Sequence, residues 1–408
     1  MNETVNQSTY KEFCDFERQY MQPQKIPEGC SFWMIRSKRG VFYDEYIRNG
    51  YIAIGWNALL ERDFATDSEN QRKTKIAIAY PSEQRPTGCV NKCNRFINEM
   101  KPGDIVVVVG NGKVAFCIVG IYYEENIENS IQKELEANAQ IAEANYKELE
   151  IHCPYQKRRY IQCIREVQEN RVNPVLGRAI SNRHSLSDMN EYSTEILSEC
   201  FDFFEYNKQT HVVFRVTAEE KIDAKALSRF MFISTEMLTE KNNPSISAKT
   251  NLNSPGTIHF VIEAVEFIKN NPGIFALMMV GIFGGKIKLS GIELEIPSLR
   301  SGIASVGNGI TNIVGTIHKT KMYTQEEKLA QANVRKANAE AAQSEVDAIL
   351  KLGQLGQNTV LSSEEIQKMY LESSALLQLS PPNLTKVDFP KEKNSGDSDE
   401  VKTRQKKQ

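Results

Sequence analysis

The sequence predicts an α+β protein built from more than one domain. Three observations carry that expectation. Short apolar strands alternate with helical spacings between Ser31 and Tyr123. A second, smaller set of strands and helices begins at His211. Past residue 320 the composition shifts to Ala, Glu, Gln and Lys, as in long exposed helices. The 408 residues suffice for two or three domains. The reading is a polar lead-in at 1–29, a small β-barrel with helices at 30–205, a small α+β domain at 206–320, a helical region at 321–380 and a disordered tail at 381–408.

In the first domain, SFWMIR (31–36) is a strand and Val41 to Asn49 a helix stopped by Gly50. Tyr51 to Trp56 is a second strand. Residues 60–88 are charged and read as loop with short helical pieces, and Val90 to Met100 has helical spacing. Lys101-Pro102-Gly103-Asp104 is a turn, Ile105–Val109 a buried strand, and Gly110-Asn111-Gly112-Lys113 a tight hairpin whose partner strand is Val114–Tyr123. The Ala- and Glu-rich stretch 126–149 reads as a helical surface insert, and QKRR (156–159) as a basic turn.

In the second domain, His211–Val216 and Thr257–Ile262 are strands, and Asp223 caps a helix running to Lys241. Lys286–Leu289 and Ile292–Ile296 are short strands. Further on, 323–352 reads as a long helix and 364–379 as another, stopped by Pro381-Pro382.

Composition excludes several classes. At 40% hydrophobic and 25% charged the chain is globular, and a net charge of −2 supplies no global field for nucleic acid. Any such contact has to be local. Eight scattered cysteines do not make a secreted disulfide scaffold, and the polar start lacks a secretory signal, so a cytoplasmic location is expected. The charge-free run 273–285 is shorter than the ~20 residues a membrane helix needs.

No P-loop, GxSxG, HExxH or dinucleotide fingerprint occurs. Cys89-x₃-Cys93 with His152-Cys153 is a poor zinc pattern, and Glu219-x-Lys221 lacks an acidic partner. Neither a catalytic residue, a cofactor nor a metal is expected.

The informative residues lie in the first domain. Trp33 and Trp56, the only tryptophans, stand beside Arg36, Lys38 and Arg39, with a second basic cluster at Lys157, Arg158 and Arg159. Flat faces that stack a base and cations that hold phosphate are what base recognition needs. Spacing alone favours core for both tryptophans and solvent for the charges.

The segments FWMIRSKRGVFYDEYIRNGYIAIGWNAL, NRFINEMKPGDIVVVV and KVAFCIVGIY, with PYQKRRYIQCIRE and SLSDMNE closing the domain, resemble the N-terminal domain of some bacterial restriction-type and defence proteins, which is similar to the PUA/EVE group of small barrels. The resemblance covers residues 30–205. It implies a non-catalytic reader of DNA or RNA, often of a flipped or modified base, with Trp33 and Trp56 in the pocket and Arg36 and Lys38 at its rim. The C-terminal half would then serve assembly, through a protein partner or self-association at 321–380. Two other readings stay open: a defence effector that contacts membranes through 273–317, and a diverged nuclease.

Overall fold

The protein is a mixed α+β chain. A computed structural model describes residues 23–143, 151–182, 184–218, 222–238, 246–251, 256–262, 285–289, 292–296, 363–380 and 386–390. The expected helix at 323–352, the apolar runs 273–284 and 301–317, Glu219 to Lys221 and the end of the tail lie outside these residues. The chain divides into two compact units, one formed by 26–200 with 387–408, the other by 1–25 with 201–386.

In chain order the strands are β1 (Gln24–Lys25), β2 (Phe32–Arg36), β3 (Tyr51–Ile54), β4 (Ile105–Gly110), β5 (Lys113–Glu124), β6 (Lys157–Gln168) and β7 (Leu186–Asp188). All but β1 form the sheet of the first unit, in the order β3-β6-β5-β4-β2-β7. β2 runs parallel to β4; the other pairs are antiparallel. Every residue of β4 is buried, as its unbroken apolar run requires.

The β4–β5 link is the two-residue loop Asn111-Gly112, with φ of 51° and 69°. Positive φ at both positions marks a type I′ hairpin, which Asn-Gly favours. Register shifts between Phe116 and Cys117 and between Val119 and Tyr122 interrupt the β5–β6 ladder. A bulge bends a strand and increases its twist, and this sheet curls into a half-barrel. At the second shift a Cβ on Gly120 would lie 2.9 Å from Tyr160 Cβ, so a side chain there would force the strands apart.

The helices of this unit are α1 (Tyr43–Asn49), α2 (Glu61–Thr66), α3 (Glu69–Ala79), α4 (Pro86–Asn94), α5 (Ser130–Ala142), α6 (Pro174–Ile180) and α7 (Ser193–Cys200). Gly50 ends α1 in the left-handed conformation, its N–H on Tyr46 O. Three segments differ from expectation. Residues 61–66 and 69–79 are two helices, more regular than the expected loop with short helical pieces, and the Ser68–Gln71 capping box starts the second. QKRR lies largely within β6, a 12-residue strand, rather than in a turn. The 130–142 helix is no mere surface insert: Glu134, Ala137 and Ile141 are buried.

The second unit has β8 (Phe203–Tyr206), β9 (Gln209–Val216), β10 (Ile246–Asn251) and β11 (Gly256–Ile262) in a sheet ordered β1-β8-β9-β11-β10. Among the described residues its helices are α8 (Ala224–Leu238) and α9 (Ser363–Leu376). Asp223 caps α8, its Oδ1 accepting the Ala226 N–H at 2.6 Å. The Phe230 ring on α8 stacks on Tyr370 of α9, centroids 5.3 Å apart, and meets Phe214 of β9 edge-on. β12 (Gly285–Leu289) and β13 (Ile292–Ile296) form a separate antiparallel pair.

Candidate nucleic-acid interface

The Ser37–Gly40 turn leaves β2 in an uncommon conformation. Lys38, Arg39 and Gly40 have φ of 50°, 55° and 93°. The Gly40 N–H closes the turn on Ser37 O at 3.2 Å. Two consecutive non-glycine residues at positive φ cost about 1–2 kcal/mol each, and such strain gathers at functional sites.

What holds the turn is the hairpin tip. Ser37 is buried and its hydroxyl donates to Val109 O at 3.0 Å. A Cβ on Gly110 would lie 2.0 Å from Ser37 Oγ, and one on Gly40 would lie 2.4 Å from the Asn111 nitrogen. The two loops are therefore seated glycine against backbone.

Between them opens a cleft of about 690 Å³. Its polar lining is Arg36, Arg39, Asp44, Asn111 and Glu169. Arg36 Nε donates to Asn182 O at 2.6 Å, and its Nη2 donates to Ile180 O at the end of α6. Arg39 Nη1 donates to Ile141 O, at the end of α5, at 3.2 Å. Cations at helix C-termini meet the negative end of the dipole, which orients both guanidiniums. Asn111 Nδ2 donates to Asp44 Oδ2 at 3.1 Å.

A buried carboxylate outside the cleft lining fixes Trp56. Glu134, 3% exposed, accepts the Trp56 N–H at 2.6 Å, the Asn57 N–H at 2.9 Å and the Tyr80 hydroxyl at 2.6 Å. A Cβ on Gly55 would meet Glu134 Oε1 at 2.5 Å. These bonds hold Trp56 at a φ of 60°. Burial lowers the Lys38 ammonium pKa, opposed by the charge of Glu134. The Trp56 ring is partly buried, with Lys92 Nζ 5.4 Å from its centre.

Arg36 thus ends β2 just before the turn that carries Lys38 and Arg39, while Glu134 binds the Trp56 N–H and acts on Lys38 through its charge alone. The other expected residues lie elsewhere. Trp33 is 4% exposed and its indole N–H donates to Asp104 Oδ2 at 2.8 Å. Lys157 is fully buried, its ammonium donating to Trp56 O at 2.7 Å and Leu59 O at 2.8 Å. Arg159, 3% exposed, donates to Phe96 O and Ile97 O, both at 2.8 Å, and burial pulls it down to about 10. Arg158 lies between them on the opposite face of β6, over the Tyr51 ring at 4.3 Å. The basic cluster is divided by strand alternation, and all three cations serve backbone carbonyls, Arg158 donating to Tyr155 O at 3.0 Å and Cys153 O at 3.2 Å.

Sequence reasoning missed Asp44, Asn111, Glu134 and Glu169. Glu134 left one signal: Ser130, Glu134, Ala137 and Ile141 share a helical face on which it is the lone charge.

The site is thus an open polar cleft at the end of a curled mixed sheet. A family model described as a domain of unknown function (DUF8426) matches residues 33–126, from β2 through β5, and so spans both loops of the cleft. No curated protein and no solved structure matches the chain. Among the described residues, no group of three or more His, Cys, Asp or Glu side chains is placed to hold a metal ion, and no helix is long and apolar enough to cross a membrane.

Proposed function

We propose that the chain is a non-catalytic reader of DNA or RNA that takes one nucleotide in the cleft between the Ser37–Gly40 turn and the Asn111-Gly112 hairpin. The observation that carries this is a strained turn whose arginine, with Arg36 just before it, lines a cleft also lined by carboxylates. Guanidiniums suit phosphate in a bidentate fork. Asp44 and Glu169 accept from exocyclic base amines, and Asn111 both donates and accepts. The volume falls within the range of small-ligand sites, roughly 300–1,000 Å³.

This differs from a pocket walled by two tryptophans, since Trp33 is bonded in the core and neither ring lines the cleft. Recognition then rests on phosphate and base edge rather than stacking. Comparison with the PUA/EVE barrels belongs to the same proposal, supported by the curled sheet and its hairpin. The C-terminal half would couple the reader to a partner.

The test is fluorescence anisotropy of the full chain with labelled single- and double-stranded oligonucleotides across a salt series. Two guanidinium–phosphate contacts predict a log–log salt slope of about −1.4 on single strands. A folded chain that binds neither at low salt would overturn the proposal.

A further inference from the structure

Cys117 on β5 and Cys163 on β6 are direct cross-strand partners, placed opposite each other by the register shift after Phe116. Cys117 is fully buried. Cys163 is exposed, because β3 pairs with β6 only through Tyr160, and beyond it β6 keeps β5 as its neighbour among the described strands. The two thiols lie close enough for each to shift the other's ionisation. Directly opposed antiparallel residues have Cα atoms about 4.5–5.5 Å apart, inside the span a disulfide bridges.

We propose that Cys163 and Cys117 form a peroxide-responsive dithiol in which Cys163 is oxidised first and Cys117 closes a disulfide across β5 and β6. The Cys163 thiolate attacks one oxygen of hydrogen peroxide, the O–O bond breaks, and the leaving hydroxide takes a proton and departs as water. Cys163 is then a sulfenic acid. The Cys117 thiol attacks that sulfur, its proton leaving with the sulfenic hydroxyl as a second water. Two thiols have been oxidised and one peroxide reduced to two waters.

The choice of Cys163 over the other thiols follows from its surroundings. The neighbouring Cys117 thiol lowers the pKa of Cys163, against partial burial and the charge of Glu166. Burial pushes Cys30, Cys89 and Cys153 the other way, up to about 12. Peroxide sensitivity follows thiolate character and exposure, and a resolving thiol in contact diverts the sulfenic acid to a disulfide. Cys117 takes the second role by position, buried directly opposite Cys163. None of this depends on what the cleft binds.

The experiment treats the reduced full chain with one equivalent of hydrogen peroxide, blocks remaining thiols with iodoacetamide and maps the peptides by mass spectrometry. The expected result is a peptide pair joined through Cys117 and Cys163 that separates on reduction with dithiothreitol. Without peroxide, iodoacetamide should label Cys163 more than about tenfold faster than Cys30. Cys163→Ser should abolish the linkage, and Cys117→Ser should leave a sulfenic acid at Cys163 that dimedone captures. Peroxide that oxidises other cysteines first, or leaves Cys163 open to alkylation, would overturn the proposal. The wild-type map decides this even if Cys117→Ser does not fold.

Discussion

Gly40 and Gly110 meet backbone to backbone: a Cβ on Gly110 would stand 2.8 Å from Gly40 Cα. That contact seats the cationic turn on the hairpin tip, so the cleft is built by the sheet and is not an accident of two mobile loops. Gly110→Ala should destabilise the first unit by about 2 kcal/mol or more, since backbone must shift. Gly112→Ala has open space around it and meets only its φ of 69°, for a loss of about 1 kcal/mol. Urea midpoints of the two variants should differ in that order.

Glu134 ties Trp56, Asn57 and Tyr80 together from α5. Glu134→Ala leaves two buried N–H groups and a hydroxyl without their acceptor. The expected cost is about 3 kcal/mol or more, at about 1–3 kcal/mol for each orphaned group. Tryptophan emission in a Trp33→Phe background, where Trp56 alone reports, should shift to longer wavelength.

Lys157 presents its ammonium to the carbonyls of Trp56 and Leu59 inside the unit. Lys157→Met matches its length but cannot donate. A loss of about 2 kcal/mol in thermal or urea unfolding is expected. The same change at Lys73, whose partner Glu69 is exposed on the surface of α3, should cost less than about 1 kcal/mol.

In the second unit His211 Nδ1 and His259 Nε2 lie 3.0 Å apart, with the His211 ring stacked on Phe204. Burial holds His211 down at about 4 and His259 at about 3. The His211 and Lys249 charges add to the effect on His259. Unfolded, both bind protons near pH 6.5. The neutral pair therefore stabilises the fold fully above that pH. The contribution falls as pH drops from 6.5 toward 4, at about 1.4 kcal/mol per unit for each histidine. Urea unfolding between pH 7.5 and 4.5 should show this slope, and a His211→Gln, His259→Gln double variant should flatten it.

Much of the fold was legible because its signals are local. Asn111-Gly112 announces its hairpin, Gly50 its helix end and Asp223 its helix start. The divided basic cluster was not, since whether Lys157 and Arg159 face core or solvent depends on which strands flank β6. Arg36 and Arg39 were legible as charges, but their cleft was not. It needs Gly110 and Glu169, which only the sheet brings to them.

The most direct test of the reader proposal is the salt dependence of oligonucleotide binding by Arg39→Asn. Asparagine accepts the positive φ of 55° better than arginine does, so the turn is kept while the charge is removed. The account predicts weaker binding across all sequences and a single-strand salt slope shallower by about 0.7, one phosphate contact fewer. Binding and slope equal to wild type would contradict it and remove the cleft from nucleic-acid recognition.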